Sequence, residues 1–422
     1  MRTDRSVLSS VAWPSDWRTV PLWAMFDRVK DLGHPNEELL SVYREYGVVK
    51  RAGRGDNFNK AAPDRNIYQL VDPGWLVVNR MKAWQGSVGI SPYRGIVSGH
   101  YICFRPSHQE EERFLNWLLR SDIYATEFAS LSRGVRPGQV EIDNDFLRVL
   151  PVKLPSVVEQ RRIADFLDTE ITWIDALLNA RERQLDILKE LWAARLAARV
   201  EDMISSHGII PLRRVIRSVE QGWSPQCEDA LAEADEWAVL KTSAVSTGVF
   251  RPLEHKKLPH SLQPDVRYRI VDGDLLMTRG SGSAEHVGVS TVARTEGRNL
   301  LLSDLLYRVR VDRGWNPDFL SLMLRSRPVR GFMSLLMRGQ SGQTIKLRSE
   351  DIKGIRVPSV PVEQQARLAI DLAEEERSIE DARAAIERSS KLLAERRQAL
   401  ITAAVTGQLD VTTARPAHDR DL

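Results

Sequence analysis

The stretch Pro155-Ser-Val-Val-Glu-Gln160 opens a run of residues that continues past Val200 without a proline or a glycine. Apolar side chains recur along this run at spacings of three, four and seven, which places them on one face of a single helix. Such a helix would be roughly 60 Å long at ~1.5 Å per residue. The residues of this apolar stripe are Leu167, Ile171, Ile174, Leu177, Leu178, Leu185, Leu188, Leu191 and Trp192.

A second stretch of the same kind lies near the other end of the chain. It begins at Pro361-Val-Glu-Gln364 and has an apolar residue at every seventh position. Two long helices with one apolar stripe each most simply bury those stripes against each other, so we predict an antiparallel coiled coil. Two separate amphipathic helices lying on globular domains are the alternative. The heptad residues are Leu372, Ile379, Ile386, Leu393 and Leu400.

The segments that precede the two helices also resemble each other. Matched motifs occur in the same order in both, which indicates a tandem duplication of a globular part followed by a long helix. The matched pairs are Tyr68–Asp72 with Tyr268–Asp272, Phe114–Ser121 with Phe319–Ser326 at an offset of 205, and Asp145–Pro155 with Asp351–Pro361 at an offset of 206.

From these patterns we predict an α/β protein with two tandem, pseudo-symmetric α/β domains separated by two long helices that form an antiparallel coiled coil. The first globular domain is predicted over residues 1–152 and the central helix over 153–206. The second globular domain is predicted over 207–356 and the C-terminal helix over 357–411. Residues 412–422 are polar, and we expect them to be a disordered tail.

Composition restricts the class of protein. The chain is 42% hydrophobic and 28% charged, which is ordinary for a soluble protein. Its two cysteines, Cys103 and Cys227, are far apart, which argues against a disulfide scaffold and fits a reducing compartment. No signal peptide and no run of ~20 apolar residues is visible. We therefore expect a soluble, cytoplasmic protein that does not bind a membrane.

The net charge of +3 is unevenly distributed. Residues 1–150 contain 20 basic and 18 acidic side chains, and residues 207–356 contain 23 and 17. The helical segments carry a small acidic excess. A basic balance in both globular parts favours nucleic-acid binding there, and arginine suits guanine edges and phosphates. The excess of arginine over lysine is equally consistent with a GC-rich genome.

No arrangement of residues that would support catalysis stands out. The chain has no G-x-x-x-x-G-K-[ST] loop and no Asn-Pro-Pro-aromatic motif, and His255 and His260 have no third metal ligand nearby. Asp143 and Asp145 form an acidic pair that is most simply solvated. We predict that the chain is not an enzyme by itself and binds no metal and no cofactor.

Polar, glycine-containing loops occur at corresponding places in the two globular parts. Arginine, lysine, asparagine, glutamine and serine on such loops are the groups that contact phosphates and base edges. Ordinary surface loops are the alternative, but their recurrence in two basic domains favours DNA binding. The candidate DNA-binding residues are Arg51, Arg54, Asn57, Lys60, Arg80, Lys82, Trp84, Arg133, Arg136, Gln221, Trp223, Arg279, Ser281, Arg338, Gln340, Ser341, Gln343 and Lys346.

This duplicated plan resembles the specificity subunit of a Type I restriction–modification system. The P-x-x-x-E-Q and P-x-E-Q motifs that open the long helices resemble the family's two helical regions. The Tyr-x-x-Val-Asp motifs, followed by a Leu-rich strand, resemble its target recognition domains, as does Gly339-Gln-Ser-Gly-Gln343. The similarity spans about residues 1–411.

The resemblance implies a division of labour. Each target recognition domain would read one half of a bipartite, double-stranded DNA site, and the helix pair would set the spacing between the halves. Two methyltransferase subunits would dock on the helices and supply S-adenosylmethionine binding and adenine methylation. Up to two restriction subunits would join them for cleavage of unmodified DNA, as part of phage defence.

Two other classes of function stay open from the residues alone. One is a coiled-coil adaptor whose globular ends bind proteins, which would show no salt-dependent affinity for DNA. The other is a stand-alone nuclease with a dispersed active site, which a metal-dependent cleavage assay would detect. The recognised bases cannot be read from the sequence, because direct readout depends on loop geometry.

Overall fold

The structure is a computed structural model that describes residues 6–51, 64–136, 139–337 and 345–413, without the side chains of 133–136 and 139. It contains two compact units. The first unit consists of residues 1–182 and 387–422, and the second of residues 183–386. Each unit combines one globular domain with one half of each long helix.

The first domain is built on an antiparallel four-stranded sheet in the order β2-β9-β6-β7. Helices α1 and α2 cover one face of this sheet and fill the core beneath it. The elements of the domain are β1 (Arg18–Pro21), β2 (Phe26–Val29), β3 (Leu40–Tyr43), β4 (Gly47–Lys50), β5 (Gln69–Val71), β6 (Leu76–Asn79), β7 (Val88–Ile90), β8 (Gly95–Val97), β9 (Tyr101–Pro106), α1 (Glu112–Arg120), α2 (Asp122–Ser130), β10 (Ser132–Arg136), β11 (Gln139–Ile142), α3 (Asn144–Arg148) and β12 (Pro151–Leu154).

After the long helix α4 (Val157–His207), the second domain repeats this plan with a sheet in the order β14-β21-β17-β19. It ends at the second long helix, α8 (Val362–Val405). The elements between the helices are β13 (Ile209–Pro211), β14 (Ile216–Gln221), β15 (Trp237–Leu240), β16 (His255–Lys257), β17 (Leu275–Thr278), β18 (Gly280–Ser281), β19 (Ser290–Val292), β20 (Asn299–Leu301), β21 (Leu306–Val311), α5 (Pro317–Arg325), α6 (Arg327–Ser334), β22 (Ile345–Lys346), α7 (Ser349–Gly354) and β23 (Arg356–Pro358).

The long helices pack in opposite directions within each unit. In the first unit the first half of α4 shares a core with the last half of α8, and Arg397 donates to Asp175 at 2.8 Å. In the second unit the last half of α4 meets the first half of α8, where Arg199 donates to Glu375 at 3.3 Å. This arrangement confirms the predicted fold of two α/β domains and two antiparallel long helices.

A buried glutamine at the start of each long helix fixes the helix to its domain. The side-chain oxygen of Gln160 accepts from the amide of Glu111 at 3.0 Å, and its nitrogen donates to the carbonyl of Pro155 at 3.0 Å. Gln365 makes the matching pair of bonds, with Asn316 and Val360, both at 2.9 Å. Gln160 and Gln365 therefore each hold the start of a long helix to its domain.

These bonds correct one detail of the sequence comparison. Gln160 corresponds to Gln365 rather than to Gln364, which is exposed. The amide of Leu22 donates to the carbonyl of Leu150, and that of Leu212 to Ile355. The offset therefore stays at 205 residues up to the helix, where the sequence motifs alone suggested 206.

The predicted domain boundaries remain predictions, because the compact units divide within the helices. Within the predicted tail, Thr412 and Thr413 bond to Asp410, and residues 414–422 lie outside the described residues. Among the helices that the structure describes, none is long and apolar enough to cross a membrane.

Candidate nucleic-acid interface

One end of the second domain's sheet gathers several of the predicted DNA-binding residues. β14 ends at Gln221, β17 ends at Thr278 and β21 begins at Leu306. Tyr307 is the ladder partner of both Gln221 and Met277, so the ends of the three strands lie in one row. Gln221 and Arg279 are therefore brought to the same sheet end, where Gln221 is exposed.

Arg279 is held in a fixed orientation at this sheet end. Its Nε donates to the hydroxyl of Tyr307 at 3.2 Å, and one terminal nitrogen donates to the carbonyl of Asp304 at 3.3 Å. The guanidinium also lies over the Tyr307 ring, 6.0 Å from its centroid. A half-buried arginine held this way loses little further side-chain freedom when it binds a ligand.

Ser281 and Lys346 lie on the short ladder next to Arg279. β18 and β22 are antiparallel, with Gly280 opposite Lys346 and Ser281 opposite Ile345. Lys346 is exposed, and the hydroxyl oxygen of Ser281 accepts from the amide of Ser283 at 3.3 Å. This ladder adds a hydroxyl and an ammonium to the polar sheet end.

Trp223 has a packing role that the sequence reading did not foresee. Its ring stacks on Tyr268, with the centroids 6.4 Å apart, and its amide donates to the carbonyl of Leu302 at 2.9 Å. A Cβ on the preceding Gly222 would lie 2.1 Å from that carbonyl oxygen, so this close approach requires glycine. The prediction that Trp223 contacts DNA remains untested.

The first domain has an arginine at the matching backbone position. Arg80 follows β6 as Arg279 follows β17, and it forms an ion pair with Glu141 on β11. The Arg80 Nε is buried and has no hydrogen-bond partner among the described residues. In contrast to Arg279, the Arg80 guanidinium is neutralised by a carboxylate of its own domain.

A polar cavity of about 830 Å³ lies at this end of the first domain's sheet. Lys82 and Gln85 line it together with Asn79, whose side-chain oxygen accepts from the amide of Met81 at 3.1 Å. The side chains of Lys82, Gln85 and Asn79 carry hydrogen-bond donors, which suit a ligand rich in hydrogen-bond acceptors.

The other described candidates are more scattered. Trp84 is 40% exposed, and its indole N–H donates to the carbonyl of Met81 at 3.0 Å. Arg51 is half-buried, and its amide donates to the carbonyl of Leu39 at 2.8 Å. Neither lines the cavity, so the structure brings together only part of the first domain's set.

Several predicted residues cannot be placed. Arg133 and Arg136 lie on the β10 strand of a hairpin, but their side chains are not described. The candidates outside the described residues are Arg54, Asn57, Lys60, Arg338, Gln340, Ser341 and Gln343. All the candidate contacts therefore remain predictions.

The sequence reading missed Glu141 and Tyr307, which decide how the two arginines are held. A signal for Glu141 was present in the sequence. Glu141 is related to the candidate Lys346 by the same offset of 205 residues that relates the starts of the two long helices. Among the described residues, no group of three or more His, Cys, Asp or Glu side chains could hold a metal ion.

The fold and this site define a protein with two equivalent globular domains, each with a polar sheet end, joined by two long helices. A family model for the Type I restriction modification DNA specificity domain matches residues 14–186. Over this region the chain is similar to specificity subunits of Type I restriction–modification systems.

Similarity to individual relatives extends over both domains. The EcoKI specificity subunit of Escherichia coli K12 is 24% identical over 86% of this chain and 82% of its own length. The StySPI specificity subunit of Salmonella potsdam is 21% identical over 84% and 81%. The EcoEI specificity subunit of Escherichia coli is 28% identical over 36% of this chain and 26% of its own length.

The fold also occurs among solved structures. A chain from a study of complex assembly in the type I R-M system matches 94% of this chain and 100% of its own length. Its TM-score is 0.69 at 15% sequence identity, which supports the shared fold.

Proposed function

We propose that this chain is the DNA-recognition subunit of a Type I restriction–modification complex and has no catalytic activity of its own. Each domain reads one half of a bipartite site in double-stranded DNA. The observation that carries this proposal is the duplicated scaffold, in which two matched sheet ends present an arginine at the same backbone position, Arg80 and Arg279. Two linked readers make the second contact effectively intramolecular.

The long helices connect the two readers without interruption. α4 contains 51 residues and passes from the first unit into the second, and α8, with 44 residues, returns. At ~1.5 Å per residue, each helix is roughly 65–75 Å long, which is stiff enough to set a distance between half-sites. The helix pair is thus proposed to determine the spacer length.

The helices also offer surface for partner subunits. Both helices carry exposed large apolar side chains, and Ile187 and Leu392 are 63% and 65% exposed. We propose that two methyltransferase subunits dock on the helices and bring the S-adenosylmethionine that methylates adenine. Restriction subunits would join this complex for cleavage.

The test is the methylation pattern of DNA from cells that express this chain together with its partner methyltransferase subunits. Methyladenine is expected in one bipartite motif, and it should disappear when this chain is deleted. Methylation that persists without this chain would contradict the proposal. An active methyltransferase that never methylates DNA in its presence would favour a protein-binding adaptor instead.

A further inference from the structure

The two sheet ends have matching backbones, so their side chains can be compared position by position. The amide of Arg80 donates to the carbonyl of His100 at 3.0 Å, and that of Arg279 donates to Leu305 at 2.8 Å. On the other side, the carbonyl of Arg80 accepts from Ile142 at 3.0 Å, and that of Arg279 accepts from Leu347 at 2.9 Å. The residues preceding these last two, Glu141 and Lys346, therefore occupy matching positions.

The charge at that position is reversed between the domains. Glu141 forms an ion pair with Arg80. Lys346 is exposed and has no ion pair among the described residues. The second domain thus has two basic side chains where the first domain has an acid and a base.

Arg279 is oriented but not neutralised. Its partners are a hydroxyl, a backbone carbonyl and an aromatic ring, from Tyr307 and Asp304. The carboxylate of Asp304 itself accepts from the hydroxyl of Ser224. Within the described part of the chain Arg279 makes no ion pair, so its full positive charge remains available to a ligand.

We propose that Arg279 and Lys346 bind a backbone phosphate of DNA, and that Glu141 suppresses the equivalent contact in the first domain by pairing with Arg80. This inference rests on the proposed function and adds to it a chemical difference between the readers. A phosphate forms strong, charge-assisted hydrogen bonds with a guanidinium and an ammonium. At Arg80 it would first have to displace the carboxylate of Glu141, and that carboxylate would also repel it.

The proposal makes the second domain the larger source of salt-dependent affinity. Each phosphate contact to double-stranded DNA contributes about 0.9 to the slope of log affinity against log salt concentration. Lys346→Gln should lower the magnitude of that slope by about 0.9, and Glu141→Gln should raise it by about 0.9 by releasing Arg80. The measurement is fluorescence anisotropy of the full chain with a labelled, mixed-sequence duplex over a potassium chloride series.

Lys353→Gln is the matched control in the same domain. Lys353 is exposed on α7, and Ile355, at the end of that helix, accepts from the amide of Leu212 at 2.7 Å. Leu212 lies just before the start of β14, at the opposite end of the sheet from Gln221. Lys353→Gln should therefore leave the slope of log affinity against log salt concentration unchanged. Circular dichroism should show the native fold for Lys346→Gln, Glu141→Gln and Lys353→Gln.

The outcomes separate this inference from the proposed function. If wild-type protein shows no salt-dependent affinity for the duplex, the proposed DNA-reading function fails. If wild type binds but Lys346→Gln has the wild-type slope, or Lys353→Gln lowers the slope equally, the phosphate contact is refuted. If Glu141→Gln leaves the slope unchanged, the suppressing role of Glu141 is refuted.

Discussion

The two domains share one sheet topology but fill the same part of the sheet with opposite chemistry. In the first domain, the β9 residue Cys103 lies between Val29 of β2 and Val77 of β6, in a buried apolar cluster. The matching β21 residue in the second domain is Arg308, between Glu220 of β14 and Leu276 of β17. Its side chain is only 4% exposed.

Arg308 is embedded in a network of hydrogen bonds and ion pairs. Its Nε donates to Glu220 at 2.7 Å, and one terminal nitrogen donates to the carbonyl of Arg267 at 2.9 Å. Asp274, which occupies the position of Trp75 in the first domain, accepts from Arg310 at 2.8 Å and lies 3.5 Å from Arg308. The backbone ladder therefore specifies the sheet, while either an apolar cluster or a satisfied ionic network can fill its face.

The largest expected effect comes from breaking this network on one side. Arg308→Met leaves the buried acid Asp274 with Arg310 as its one remaining cation partner and takes the guanidinium away from the carbonyls of Arg267 and Arg269, which should lower the free energy of unfolding by about 3–5 kcal/mol. Urea denaturation of the full chain measures this change. Arg310→Met is the matched control, because Arg310 contacts the same two acids from a half-exposed position and its loss leaves Arg308 in place, so it should cost less than Arg308→Met. Equal losses in the two variants would contradict the importance of burial.

Rebuilding the second sheet face with the residues of the first sharpens the comparison. The triple variant Glu220→Val, Asp274→Trp and Arg308→Cys should recover most of the stability that Arg308→Met loses, because a buried ionic group can be replaced by packed apolar side chains. The same urea titration compares the two proteins. A triple variant that is less stable than Arg308→Met would show that the apolar cluster of the first domain cannot replace the ionic network of the second.

The next effect concerns the buried glutamine that both domains have at the start of a long helix, Gln160 and Gln365. Gln365→Leu leaves the amide of Asn316 and the carbonyl of Val360 unpaired in a buried site, which should cost about 1–3 kcal/mol for each unsatisfied group. Gln160→Leu should have a similar cost in the first domain, measured by thermal unfolding. The exposed neighbour Gln364 is the control, and Gln364→Leu should change stability little. A loss at Gln364 equal to that at Gln365 would contradict the 205-residue correspondence.

The smallest expected effect is a difference in acid sensitivity. Burial raises the pKa of Glu220, but the hydrogen bonds from Arg308 and Arg310 outweigh it and hold that pKa below the ordinary value of 4.5. A depressed carboxyl pKa stabilises the fold above the unfolded pKa, and this contribution is lost as pH falls through the folded pKa. The first domain has Val29 at this position, and burial raises the pKa of Cys103 to about 12, so neither titrates in acid.

Glu220→Gln provides the measurement. Its stability should fall less steeply than that of wild type as the pH is lowered below 4.5, the ordinary value for this carboxyl. Parallel stability curves for the two proteins in that range would contradict a stabilising role of the Glu220 carboxylate.

Much of the fold could be predicted from the sequence because its signals are local and repeated. The heptads of α8 and the two E-Q motifs identify the long helices, and matched motifs identify the duplication. The sequence did not predict that the Arg308 network of the second domain takes the place of the apolar cluster around Cys103 in the first. This difference depends on which residues face each other across strands. The same holds for the pair Arg80 and Glu141, which are 61 residues apart in sequence.

The candidate site was predicted in location more than in detail. Arg279, Ser281 and Lys346 do lie together, because β18 and β22 form a ladder beside Arg279. Trp223 was predicted to contact DNA as part of a polar, glycine-containing loop, yet its packing on Tyr268 depends on a close backbone approach at Gly222. Such roles follow from three-dimensional packing that residue types alone do not reveal.

The central claim, that the chain is two separate DNA readers on a common scaffold, is tested most directly by exchanging one reader. Residues 209–358, from the start of β13 to the end of β23, would be replaced by the same segment of a relative, and methyladenine would be mapped across the genome. If the two domains are separate readers, one half of the bipartite motif changes while the other half stays the same. A change in both halves, or an unchanged motif in an active complex, would contradict it.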